Sequence, residues 1–210
     1  FGQAVSEPKT PVKDGYVFDC WLDENGEKAQ IPEIMPAENI VLTAKYKKIQ
    51  QTNGISVLYD EEAYGKDVHL KANDETKTLS PEVKAQLKVK LSGALNWSNV
   101  YTISFVDGNG NNVKFEDGQK VTVSVPIPEN AKPEDKIIIY HISSAESGEP
   151  TKKITDSEIR QENGYLIFDV THFSYFVVCV DKTPVSIKVA STPNKTSYFY
   201  KIDKTLDTDG

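Results

Sequence analysis

Short runs in which apolar and polar side chains alternate residue by residue set the strongest limit on what this sequence can fold into. Tyr101, Ile103 and Phe105 alternate with Thr102 and Ser104, and Val121, Val123, Val125 and Ile127 alternate with Thr122 and Ser124. A period of two places each apolar set on one face of a strand, so these runs predict half-buried β-strands. Ile55 to Tyr59 and Val68 to Ala72 predict two more. Ile137 to Ile142, Leu166 to Val170 and Tyr175 to Val180 are more continuously apolar, as expected of strands covered on both faces. One stretch fits two periods, because Ala85, Leu87, Val89 and Leu91 alternate while Val83, Leu87 and Leu91 also recur at helical spacing. Its ends decide for a helix over 81–92: Ser80 suits the N-cap, Pro81 the first turn, Glu82 the positive end and Gly93 the stop. The fold class is therefore mainly β, with a β-sandwich carrying one helix over 55–182.

The flanking segments differ in character. Residues 1–48 read as short strands broken by turns: Pro8, Pro11 and Gly15 lead into Tyr16 to Trp21, Asp23 to Gly26 turns, and Ile40, Leu42, Ala44 and Tyr46 fall on one face of a strand. The run Pro-x-x-Pro-x-x-x-Gly-Tyr-x-Phe-x-x-Trp, closing with Met-Pro-Ala-x-Asn-Ile-x-Leu-x-Ala-x-Tyr, resembles the Listeria-Bacteroides repeat over Pro8 to Tyr46. That resemblance implies a small β-grasp-like module of bacterial surface proteins. Cys20 stands where the repeat usually has Gly, and the strand that usually precedes the motif is not seen before Phe1, so a truncated repeat within a longer polypeptide is expected. Polar, Gly-ended Gln50 to Gly54 suits a linker over 49–54. The stretch from the helix through Thr171 to Phe176 is similar to a β-rich domain of large surface proteins of Gram-positive anaerobes. Residues 183–210, with Val185 to Val189 followed by Pro193, Lys195 and Tyr198, resemble the opening of a bacterial immunoglobulin-like domain.

Charge and chemistry narrow the function. Lys and Arg number 24 against 31 Asp and Glu, giving a net charge of -7, and Arg160 is the only arginine. Such a surface repels phosphate backbones, so no nucleic acid partner is expected. No apolar run approaches the roughly 20 residues of a membrane helix, so no membrane insertion is expected. Cys20 and Cys179 match no metal spacing and are expected to stay unpaired in separate cores. Asp107 to Asn112 has oxygen-bearing residues at alternate positions like a calcium loop, but Asn112 and Gly118 replace the Gly and Glu such a loop needs, which favours a plain hairpin turn. His69, His141 and His172 are scattered, with His69 facing solvent and His172 at a hydrogen-bonding corner, so no metal and no cofactor are expected. No nucleophile elbow, phosphate loop or dinucleotide fingerprint occurs, so no catalytic residues are assigned and an enzyme is not expected. Trp97, flanked by Asn96 and Asn99, together with Tyr101 is the one candidate ligand surface, since sugars dock on exposed aromatic faces.

These readings point to a non-catalytic stalk or spacer segment of a secreted, multidomain, adhesin-like bacterial protein, outside the cell and attached to the wall or released. Its partners are then the other modules of the same polypeptide. The alternative is a module that binds a glycan or a host surface protein.

Overall fold

The structure, a computed structural model, describes residues 2–6, 8–65, 67–91, 96–115, 118–133, 135–142, 150–181, 186–190 and 197–201. In chain order the strands are β1 (Tyr16–Leu22), β2 (Thr43–Thr52), β3 (Ile55–Tyr59), β4 (His69–Asp74), β5 (Asn96–Val106), β6 (Asn112–Val113), β7 (Val121–Pro126), β8 (Lys136–Ile142), β9 (Pro150–Ile154), β10 (Arg160–Glu162), β11 (Tyr165–Val170), β12 (Tyr175–Asp181), β13 (Ser186–Ala190) and β14 (Ser197–Lys201). Helix α1 (Glu61–Tyr64) follows β3, α2 (Pro81–Lys90) precedes β5, and a 3-10 turn covers Asp156–Glu158. The fold is mainly β.

One sheet runs β1-β2-β3-β7-β11-β10 and a second runs β4-β5-β12-β8-β9, with β6 paired to β5; β13 and β14 pair with each other. The protein divides into two compact units. The first comprises Phe1–Asn73, Ile103–Pro126 and Gln161–Phe173, and the second Asp74–Thr102, Ile127–Arg160 and Ser174–Gly210. In the first, alternation works as the sequence predicts. Ile55, Val57 and Tyr59 of β3 are buried while Ser56 and Leu58 between them are only half-buried. Tyr59, Tyr64 and Phe105 then join Phe115 and Phe173 in an aromatic cluster whose ring centroids lie 4.7–5.9 Å apart. Edge-to-face contacts of this kind add to the area the rings bury.

In the second unit α2 forms where its caps place it. Ser80 Oγ accepts from the Val83 amide at 3.3 Å and Pro81 opens the helix. Leu87 and Leu91 are buried with Val100, Tyr140, Ile142, Val177 and Cys179. The expected stop at Gly93 lies outside the described residues. β12 sits between β5 and β8, and Phe176, Val177, Val178, Cys179 and Val180 are each 0% exposed, as its continuous apolar run predicts.

Three expectations are corrected. Residues 49–54 are not a linker: 49–52 are the end of β2, and Asn53 (φ 50°) with Gly54 (φ 76°) makes the two-residue turn into β3. Two consecutive positive φ values match the primed hairpin turn that Asn-Gly favours, so a dipeptide that looks like a spacer is a sheet-forming signal. The strand expected from Ile40 starts at Thr43, and Ile40 and Val41 are exposed. β11 is not covered on both faces, because Ile167 is half-buried and Asp169 is exposed. It lies second from the edge of its sheet, whereas β12 is central. In the tail, β13 covers Ser186 to Ala190, and Val185, Pro193, Lys195 and Leu206 to Gly210 lie outside the described residues.

Candidate functional site

Of the expected ligand surface, the Tyr101 half is turned inward. Tyr101 is 3% exposed, and burial raises its phenol well above the ordinary value, so its ring has no free face for a sugar. The Trp97 backbone pairs with Cys179 in the β5–β12 ladder, and the Trp97 side chain lies outside what is described. The alternation that makes Tyr101 a strand residue already places it with Ile103 and Phe105 on the inward face.

A different aromatic group gathers on β1 and β2. Tyr16 lies opposite Lys48 and Phe18 opposite Tyr46, which puts all four on one face. The register then shifts between Phe18 and Cys20, so Asp19 is the extra residue of a β-bulge. A bulge reverses the phase of the strand. Trp21, an odd number away from Phe18, therefore shares its face, with ring centroids 5.3 Å apart. Tyr46 meets Phe18 at 6.2 Å and Tyr16 at 6.4 Å, both edge-on. All four rings are half-buried. The Lys13 ammonium stands 3.7 Å from the centroid of Tyr16 and 5.4 Å from that of Tyr46, within cation–π range.

A polar clasp fixes this row to the start of α1. Tyr16 donates its hydroxyl to Glu61 Oε2 at 2.5 Å, and the Lys48 ammonium pairs with Glu61 Oε1. The hydrogen bond to Glu61 holds the Tyr16 phenol and the Lys48 ammonium above their usual pKa values, because both are proton donors to a carboxylate. Lys45 pairs with Asp60 at 3.1 Å, and that bond raises the Lys45 pKa. Next along β2, Gln50 donates to the Tyr59 hydroxyl and to the Val68 carbonyl at 2.6 Å each, and its Oε1 accepts from the Leu70 amide at 2.6 Å. One primary amide thus does for the start of β4 what a neighbouring strand would do. Gln50 and Glu61 carry no mark of a site in the sequence; the signal that could have found Gln50 is its place just before an Asn-Gly hairpin turn, inside a strand.

The remaining candidates are occupied by their own structure. Asp107 accepts from the Asn109 and Asn111 amides at 2.9 Å and from Asn111 Nδ2 at 3.2 Å, bonds that lower its carboxyl pKa. The loop is the tight turn joining β5 to β6. Asp23 accepts from the Asn25 and Glu27 amides in the same manner. His69 is exposed; His172 is exposed with Nδ1 3.3 Å from Thr171 Oγ1; His141 is buried with its ring stacked 4.8 Å from that of Phe176. Among the described residues no three His, Cys, Asp or Glu side chains gather as a metal site. Cys20 and Cys179 are both free, and burial pushes the Cys179 thiol up to about 12.

Residues 1–45 match the family model of the Listeria-Bacteroides repeat domain. That span takes in all of β1, the bulge, the Phe18–Trp21 pair and the first residues of β2. No curated protein and no solved structure matches the sequence.

Proposed function

We propose that this protein is a non-catalytic spacing and display segment of a secreted, multidomain bacterial surface protein. The observation that carries this reading is the Listeria-Bacteroides repeat over residues 1–45, a repeat associated with the bacterial surface. Two further features support it. The net charge of -7 keeps neighbouring copies apart in solution, and Asp23 and Asp107 are spent on their own turns. The reading includes the β-sandwich expected over 55–182 and the immunoglobulin-like start at 183–210, both resting on sequence pattern, and wall attachment or release as the means of display. Among the described residues no helix is long and apolar enough to cross a membrane. Antibody raised against the protein should label intact cells of the source bacterium; labelling that appears only after lysis would contradict a surface role.

A glycan- or host-protein-binding role is the second reading, and the half-buried row of Tyr16, Tyr46, Phe18 and Trp21 favours it. Tyr46 packs edge-on against Tyr16 and Phe18, and Phe18 packs tilted against Trp21, which is how a small core is built as well as a docking face. Titration with soluble glycans, followed by Trp21 fluorescence and by side-chain NMR of the four residues, separates the two. A saturable change confined to that row would favour binding, and no change would leave spacing as the role.

A further inference from the structure

The sequence holds four Asn-Gly pairs: Asn25-Gly26, Asn53-Gly54, Asn109-Gly110 and Asn163-Gly164. In such a pair the glycine amide nitrogen can attack the γ-carbonyl of the asparagine, since glycine has no side group to hinder the approach. The new N–C bond closes a succinimide, the bond between Cγ and Nδ2 breaks, and Nδ2 leaves as ammonia carrying the proton lost by the glycine nitrogen. Water then opens the ring to aspartate or isoaspartate. No oxidant, reductant or enzyme is needed. What differs among the four sites is how firmly the structure holds the reacting atoms.

We propose that Asn163-Gly164 is the site of spontaneous deamidation in the folded protein. At the other three pairs one reacting group is tied down. The Gly26 amide donates to the Asp23 carbonyl at 3.1 Å and the Gly110 amide to the Asp107 carbonyl at 2.9 Å, so the attacking nitrogen is engaged. At Asn53 the leaving group is held instead, with Nδ2 donating to the Ala72 carbonyl at 2.9 Å and to Asn73 Oδ1 at 3.2 Å. Asn163 and Gly164 are exposed, and among the described residues neither the Asn163 amide group nor the Gly164 N–H has a partner outside its own hairpin.

Position in the sheet points the same way. Asn53-Gly54 joins β2 to β3, and Ile55, Val57 and Tyr59 of β3 are each 0% exposed, so opening that turn breaks the buried part of the sheet. Asn163-Gly164 joins β11 to β10, the outermost strand, which is three residues long and exposed throughout. Short exposed edges open locally at low cost, and the backbone rotation that brings the glycine nitrogen to the γ-carbonyl needs only that opening. Isoaspartate would insert one methylene into a two-residue turn with φ of 51° and 82° and set a new carboxylate beside Glu162, releasing β10 from β11.

Peptide mapping of the intact protein, held in mildly alkaline buffer near body temperature, tests this. Asn163 should gain one dalton and form isoaspartate at least about ten-fold faster than Asn53, the factor expected for a difference in opening cost of about 1.4 kcal/mol. In strong denaturant the four sites should react at similar rates. A lead by Asn25, Asn53 or Asn109 in the folded protein, similar rates at all four while folded, or an unreacted Asn163 would each overturn the assignment.

Discussion

Residues 2–48 and β12 show two ways a β segment is held. Among the described residues of 2–48 no side chain is fully buried; the strands rest on half-buried rings, a bulge and a polar clasp. In β12 five consecutive side chains are 0% exposed. Removal of apolar area from water is the main source of stability, so the strands of 2–48 gain less from burial than β12 does. The boundary that the repeat family draws at residue 45 falls inside β2, and the ladder crosses it.

The sharpest contrast comes from truncating one ring in each region. Phe176→Ala removes a fully buried side chain and uncovers the stacked His141, and should cost about 3–5 kcal/mol in denaturant unfolding. Phe18→Ala removes a half-buried ring, and about 1–2 kcal/mol is expected. Equal costs would show that the repeat has a core of its own. Gln50→Ala comes next. It strips partners from the Leu70 amide and the Val68 carbonyl, and a loss of about 2 kcal/mol should appear in the same assay; a neutral result would mean that β4 is held without it.

A change of opposite sign is expected at Tyr64. Its hydroxyl is buried among rings with no hydrogen bond, and burial raises its phenol to about 12. Tyr64→Phe should therefore gain about 1 kcal/mol, a rise of about 2–4 °C in Tm by calorimetry. A fall in Tm would show that the hydroxyl is paired.

The smallest effect is one of pH, spread over the clasp. Tyr16, Tyr59, Lys45 and Lys48 all have pKa values raised on folding, Tyr59 chiefly by burial and the other three by hydrogen bonds to Glu61 or Asp60. Each binds its proton more tightly folded than unfolded. The stability they give is complete below the ordinary values of 10.0 and 10.5 and is lost as pH rises through the folded values. Thermal melts should be flat with respect to these groups up to about pH 9 and fall beyond about pH 10, and Glu61→Gln should blunt that fall.

Much of the fold is legible in the sequence because period-two alternation and helix caps are local. Val57, Ile103, Phe105, Val123 and the Ser80 cap stand where their spacing puts them. What fails depends on partners distant in sequence. Gln50 to Gly54 has the composition of a linker, and only the pairing of β2 with β3 shows it to be strand and turn. Ile167 and Asp169 lie on the less covered face of β11, as Ser56 and Leu58 do on β3 of the same sheet, and how far a face is covered depends on what packs against it. The Tyr101 half of the candidate site fails for a related reason. Tyr101 has the ring a sugar platform needs, but its own alternation turns it inward, while the Tyr16–Tyr46–Phe18–Trp21 row needs the bulge at Asp19, which only the register with β2 reveals.

The claim that the repeat is welded into its sheet through β2 is tested most directly by native-state hydrogen exchange at rising denaturant. Ile49 to Thr52 pair with Leu58 to Ile55. Their interstrand amides should exchange through the same cooperative opening as the β3 and β7 amides, with the same denaturant dependence, while β1 exchanges through a smaller one. If all of β1 and β2 instead opened together, well below the free energy at which β3 opens, residues 1–52 would be a module that folds and unfolds by itself, and the account would be wrong.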